Sequence, residues 1–174
     1  MPNPNTNSTG KASLPREKRG PNHSGNKSAG EGFISCSRCH NVLYNKKWQK
    51  LDGEVLLKIS PEGKIAKEVI CPVCKMITEG DYEGEVIVKS IPEDQQMNVL
   101  DLIMAFGKRA EEHDCEDRII EVKKDGNTIR VTTTDNQLAV RLAKKIHESH
   151  KKSDIEIKYS EEPQKTSHAV VTFK

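Results

Sequence analysis

At 174 residues, with 34% hydrophobic and 31% charged side chains, the chain has room for one ordinary domain or two small ones with compact cores. No run approaches the ~20 apolar residues of a membrane span, and residues 1–30 hold no apolar stretch suited to a signal peptide. A cytoplasmic, reducing location with no membrane partner is therefore expected. The net charge of +2 divides into +4 over residues 1–30, +2 over 31–80 and −4 over 81–174, which argues against nucleic-acid binding over the whole surface.

Residues 1–32 are rich in Asn, Ser, Gly, Pro and Lys and too poor in apolar side chains to offset the entropy of ordering. They are expected to form a disordered basic tail, in which Arg16, Lys18 and Arg19 make an arm suited to a polyanion. Residues 33–80 open and close on Cys36-x-x-Cys39 and Cys71-Pro72-Val73-Cys74, separated by 31 residues. Each pair puts two thiolates on one tight turn, and two such turns close a tetrahedral site for one structural Zn2+. Between them, residues 54–59 and 64–70 flank Ser60-Pro61-Glu62-Gly63, which reads as a hairpin returning Cys71 to the site, hence a zinc ribbon. His40 adjoins Cys39 but is surplus to four thiolates and is expected to face solvent. Lys46 and Lys47 read as RNA contacts. Trp48 beside them suits either base stacking or roofing the small core, and the latter is favoured.

Residues 81–174 read as an α+β domain of order β-α-β-β-α-β-β, a two-layer sandwich with both helices on one face of a mainly antiparallel sheet. A strand at Val86–Lys89 leads to Ser90-x-x-Glu93 with Pro92, a capping pattern for a helix. That helix places Met97, Leu100, Ile103, Met104 and Gly107 on one face. Strands at 118–122 and 128–132 surround Asp125-Gly126, a tight-hairpin signal. Asp135 caps a second helix with Leu138, Leu142 and Ile146 inward, and strands at 155–159 and 169–173 complete the sheet. The second helix also carries Arg141, Lys144, Lys145, Lys151 and Lys152, the clear basic patch of an acidic half. The hydroxyls of Thr132, Thr133 and Thr134 fit either ordinary strand positions or phosphate contacts.

No phosphate-cradling loop, nucleophile elbow or histidine constellation is present, and four thiolates leave a metal no open position for water, so an enzyme is not expected. Cys115 stands apart in sequence and reads as a lone, partly buried thiol. A ribosome- or rRNA-associated zinc protein is the leading expectation. The alternatives are a zinc-stabilised protein–protein adaptor and a thiol redox sensor, in which oxidation would pair Cys36 with Cys39 and Cys71 with Cys74.

Taken in order, Cys36-x-x-Cys39, Lys47-Trp48, Cys71-Pro72-x-Cys74, Val131-Thr132-Thr133-Thr134-Asp135 with Leu138, and the Tyr159 strand with the strand after it make a specific combination. Over residues 33–174 the chain resembles the short prokaryotic relatives of the nonsense-mediated-decay-type ribosome adaptor, a family described as affecting ribosome stability and mRNA decay. The resemblance implies a zinc domain preceding an α/β domain, and association with the large ribosomal subunit through rRNA or ribosomal proteins. The chain lacks the further domain and nuclear-export tail of the longer adaptors, so no export role is expected.

Overall fold

In the computed structural model the described residues are 33–59, 65–160 and 166–174. The basic arm with Arg16, Lys18 and Arg19, and the Ser60–Gly63 turn, lie outside them. The described residues form a mixed α+β structure with two sheets and four helices.

The first sheet contains β1 (Phe33–Cys36), β2 (Val42–Tyr44), β3 (Lys47–Gln49) and β4 (Ile65–Val69) in the order β3-β2-β1-β4. Asn45 and Lys46 join β2 to β3 with φ of 49° and 65°, the double left-handed geometry whose twist matches that of the flanking strands. The expected hairpin before Cys71 does not form. Gly53–Ile59 is a helix, α1, and β4 runs parallel to β1, so the intervening chain must cross over rather than double back. The helix has local support that the strand reading overlooked. The Asp52 carboxylate accepts the Val55 N–H at 2.7 Å, and Glu54 pairs with Lys58 one turn on.

A second helix, α2 (Pro72–Glu79), follows directly on Cys71. The second sheet comprises β5 (Gly84–Lys89), β6 (Ile119–Asp125), β7 (Thr128–Thr133), β8 (Ser153–Tyr159) and β9 (Ser167–Phe173), in the order β6-β7-β5-β9-β8. Only the β5–β9 pairing is parallel. Helices α3 (Gln96–His113) and α4 (Asn136–Ser149) pack on one face of it. From the helices come Val99, Ile103, Leu142 and Ile146, and from alternate sheet positions Val86, Val88, Ile129, Val131, Ala169 and Val171, making one core. Helix α4 follows its expected pattern. The Asp135 carboxylate accepts the Leu138 N–H at 2.9 Å, and Leu138, Leu142 and Ile146 are fully buried.

Helix α3 departs from expectation at two points. Ser90 does not cap it but takes a left-handed conformation (φ 57°), and a 3₁₀ turn at Glu93–Gln95 leads in from Pro92 instead. The buried stripe is Val99, Ile103, Gly107 and Ala110, whereas Met97 and Met104 are 65% and 60% exposed. Gly107 sets this rotation, because Ile119 Cδ1 would lie 2.5 Å from any Cβ placed there.

A second close approach locks α4 to the sheet. A Cβ on Gly84 would lie 2.4 Å from Thr133 Oγ1, 2.5 Å from Ala139 Cβ and 2.9 Å from the Asp135 carbonyl oxygen. Gly84→Ala is therefore expected to destabilise the fold by about 1–3 kcal/mol, seen as a lower denaturation midpoint. An unchanged midpoint would mean that α4 moves aside freely.

Candidate metal centre

Each thiol pair is shaped by its own backbone. In the first, Cys36 ends β1 and the chain reverses. The Cys36 N–H donates to the Asn41 carbonyl at 2.8 Å, and the His40 N–H donates to the Cys36 carbonyl at 2.9 Å. His40 takes a left-handed φ of 58° and is exposed, as expected of a residue outside the ligand set. In the second, Cys71 caps α2, with Pro72 in the first turn where its missing N–H costs nothing. The Cys74 N–H donates to Cys71 Sγ at 3.4 Å, and the Cys71 N–H reaches across to Cys36 Sγ at 3.3 Å. The N-terminus of α2 thus faces the sulfurs and favours negative charge on them.

The Sγ atoms of Cys36, Cys39, Cys71 and Cys74 all lie within 4.8 Å of one another. Cys39 and Cys71 Sγ are 3.7 Å apart, close to the edge of about 3.8 Å that a tetrahedron with metal–sulfur bonds of about 2.3 Å requires. Among the described residues this is the one cluster of potential ligands that could hold a metal ion. Cys36, Cys71 and Cys74 are buried and Cys39 is half-buried.

The thiols are unequal. Burial opposes ionisation of Cys36, but the backbone N–H groups of Cys39, Cys71 and Arg38 outweigh it and bring its pKa down to about 6. Burial, together with sulfur neighbours that compete for protons, pushes Cys71 and Cys74 up. A cation at the centre would reverse this for all four, because a coordinating thiol is deprotonated outright. Such a site is closed and suits a structural role.

Trp48 is 8% exposed and packs with Val73 and the cysteines, so it roofs this small core and presents no face for base stacking. Cys115 belongs to the same cluster, although it is distant in sequence. Its thiol donates to the Trp48 carbonyl at 3.3 Å, and burial followed by the charges of Asp114 and Glu116 raises its pKa to about 11. It remains a neutral thiol at pH 7 and lies outside the ligand set.

The cations expected to meet RNA differ in what they already pair with. Lys46 is exposed on the β2–β3 turn, and Lys47 donates to Asp114 at 2.7 Å. Arg141 pairs with Asp117, while Lys144 and Lys145 are exposed and have no ion-pair partner among the described residues. Thr132, Thr133 and Thr134 are buried, and the last two spend their hydroxyls internally. Thr133 Oγ1 donates to the Asp135 carbonyl at 2.8 Å, and Thr134 Oγ1 to the Glu116 carbonyl at 2.7 Å. Among the described residues, no helix is long and apolar enough to cross a membrane. No protein-family model matches the chain, and no curated protein matches it.

Proposed function

We propose that the chain is a non-enzymatic zinc-binding protein that associates with the ribosome through rRNA, with consequences for ribosome stability or mRNA decay. The observation that carries the metal half of this reading is the closed set of four thiolates, from Cys36, Cys39, Cys71 and Cys74. A tetrahedral sulfur set selects zinc among the common divalent ions and needs no redox partner.

Support for a polyanionic partner comes from which cations are already neutralised. On the sheet face away from the helices, Lys123 pairs with Glu121, Arg130 with Glu85 and Lys158 with Glu156. Residues 136–152, covering α4 and the following turn, instead carry five Lys/Arg against Glu148 alone. Of these, Lys144, Lys145, Lys151 and Lys152 are exposed, with no ion-pair partner among the described residues. Cosedimentation with ribosomes is expected to weaken steeply as salt rises. Replacing these four lysines by glutamine should flatten the slope of log affinity against log salt by about 3. Binding that ignores both salt and the substitutions would exclude this reading.

The exposed pair Met97 and Met104 favours a second reading, a zinc-stabilised protein–protein adaptor. They stand seven residues apart on α3 and therefore on one face, where a flexible apolar pair suits a protein partner. Loss of partner capture on Met97→Ser with Met104→Ser, in material free of ribosomes, would support the adaptor.

A further inference from the structure

We infer that Cys39 is the modification site of the metal centre: a conjugated carbonyl electrophile arriving from solvent adds to its sulfur ahead of the other cysteines, and that addition releases the metal. This rests on the metal reading above. The four sulfurs lie within 4.8 Å of one another but are not equally sheltered. Cys36, Cys71 and Cys74 are 1%, 2% and 5% exposed, whereas Cys39 is half-buried.

The difference follows from where the chain carries each thiol. Cys36 ends β1, which lies between β2 and β4 in the first sheet. Cys71 caps α2 and Cys74 sits in its first turn, clustered with Trp48, Val73 and Cys115, all of them buried. Cys39 instead closes the first knuckle among exposed neighbours, Ser37 and Arg38 before it and His40 after it. Arg38 directs its guanidinium to the Thr78 hydroxyl on α2. Solvent therefore meets the sulfur cluster at Cys39. With a metal bound, that sulfur is a thiolate and needs no deprotonation before attack. Its lone pair forms an S–C bond at the β-carbon of the unsaturated carbonyl, the C=C π pair shifts to the α-carbon, and that carbon takes a proton from water. The product is a neutral thioether, a poorer ligand than the thiolate it replaces. Three thiolates no longer close the site, which leaves its fourth position to water and the ion open to a soluble chelator.

The test treats the zinc-loaded full chain with less than one equivalent of N-ethylmaleimide, maps the adducts by mass spectrometry, and follows zinc with a chromophoric chelator too weak to strip the untreated protein. Cys39 is expected to carry the first adduct, at least about tenfold ahead of any other cysteine, with one zinc ion released per adduct. Cys115→Ala should leave the release rate unchanged, because that buried thiol is reached only after the centre has opened. First labelling at Cys36, Cys71, Cys74 or Cys115, release that slows in Cys115→Ala, or Cys39 adducts that keep their zinc would each overturn the inference. A parent chain that takes up no zinc would overturn the metal reading itself, a separate and visible failure.

Discussion

Stripping zinc from the purified chain is expected to unfold the first sheet while leaving the second sheet and its helices folded. In amide exchange, β1 through β3 should lose protection in chelator, and β5, β7 and β9 should keep theirs. The unequal distribution of apolar burial is the reason. Among the described residues, Val42 alone of the large, completely buried side chains lies before residue 80, whereas Ile103, Ile129, Leu138, Leu142 and Ile146 all belong to the second unit of packing. This first unit relies on buried Phe33 and Val42, and on Trp48 and Val73 packed with the cysteines. So small a core does not outweigh chain entropy unaided, and a structural zinc contributes an apparent ~10–16 kcal/mol. Cys74→Ser should reproduce the effect without chelator, with bound zinc falling well below one ion per chain. Equal protection of β1–β3 with and without metal would show that zinc does not hold this half together.

The cluster of four cysteines was legible because Cys-x-x-Cys geometry is local, and each turn is built by residues adjacent to its thiols. Helix α4 was legible for the same kind of reason. Its cap at Asp135 and its inward spacing of four act within a few turns. What escaped the sequence was decided at long range. Val55-Leu56-Leu57 suits a strand or a helix, and the choice falls to helix because β4 takes a parallel place beside β1. In α3 two apolar stripes compete, one through Met97 and Met104 and one through Val99, Ile103 and Ala110, and the close approach of Gly107 to Ile119 settles which is buried. Helix α2 was overlooked because Cys71-Pro72-Val73-Cys74 reads as a turn, although proline one place after a capping residue is also how a helix begins. Cys115 lies far from Cys39 in sequence, and no local pattern brings it to the cysteine cluster.

These long-range ties give the two sheets a shared boundary. The Lys47–Asp114 pair at 2.7 Å and the Cys115–Trp48 bond at 3.3 Å both link β3 to the segment after α3. The ion pair is mostly exposed on its lysine side and adds little stability by itself. The buried packing of Trp48 and Cys115 in one cluster with the four cysteines is the stronger link. Zinc occupancy and the mutual placement of the two sheets are therefore expected to rise and fall together.

Zinc affinity should also fall steeply on mild acidification, and the sign follows from the thiols. Below its pKa a thiol holds a proton that the metal must displace, so acid favours the metal-free state. Cys71 and Cys74, pushed up by burial, are both protonated at pH 7 in the metal-free chain. Each contributes a tenfold loss of affinity per pH unit, so the constant should drop at least about 100-fold between pH 7 and pH 6. Below about 6, where Cys36 also takes up a proton, a further tenfold per unit is added. Chelator competition at several pH values measures the slope. Calorimetry in two buffers of different ionisation heat counts the protons released, and at least two are expected at pH 7. A loss of less than tenfold between pH 7 and pH 6 would mean that Cys71 and Cys74 are not both ligands, and the four-thiolate centre would have to be abandoned.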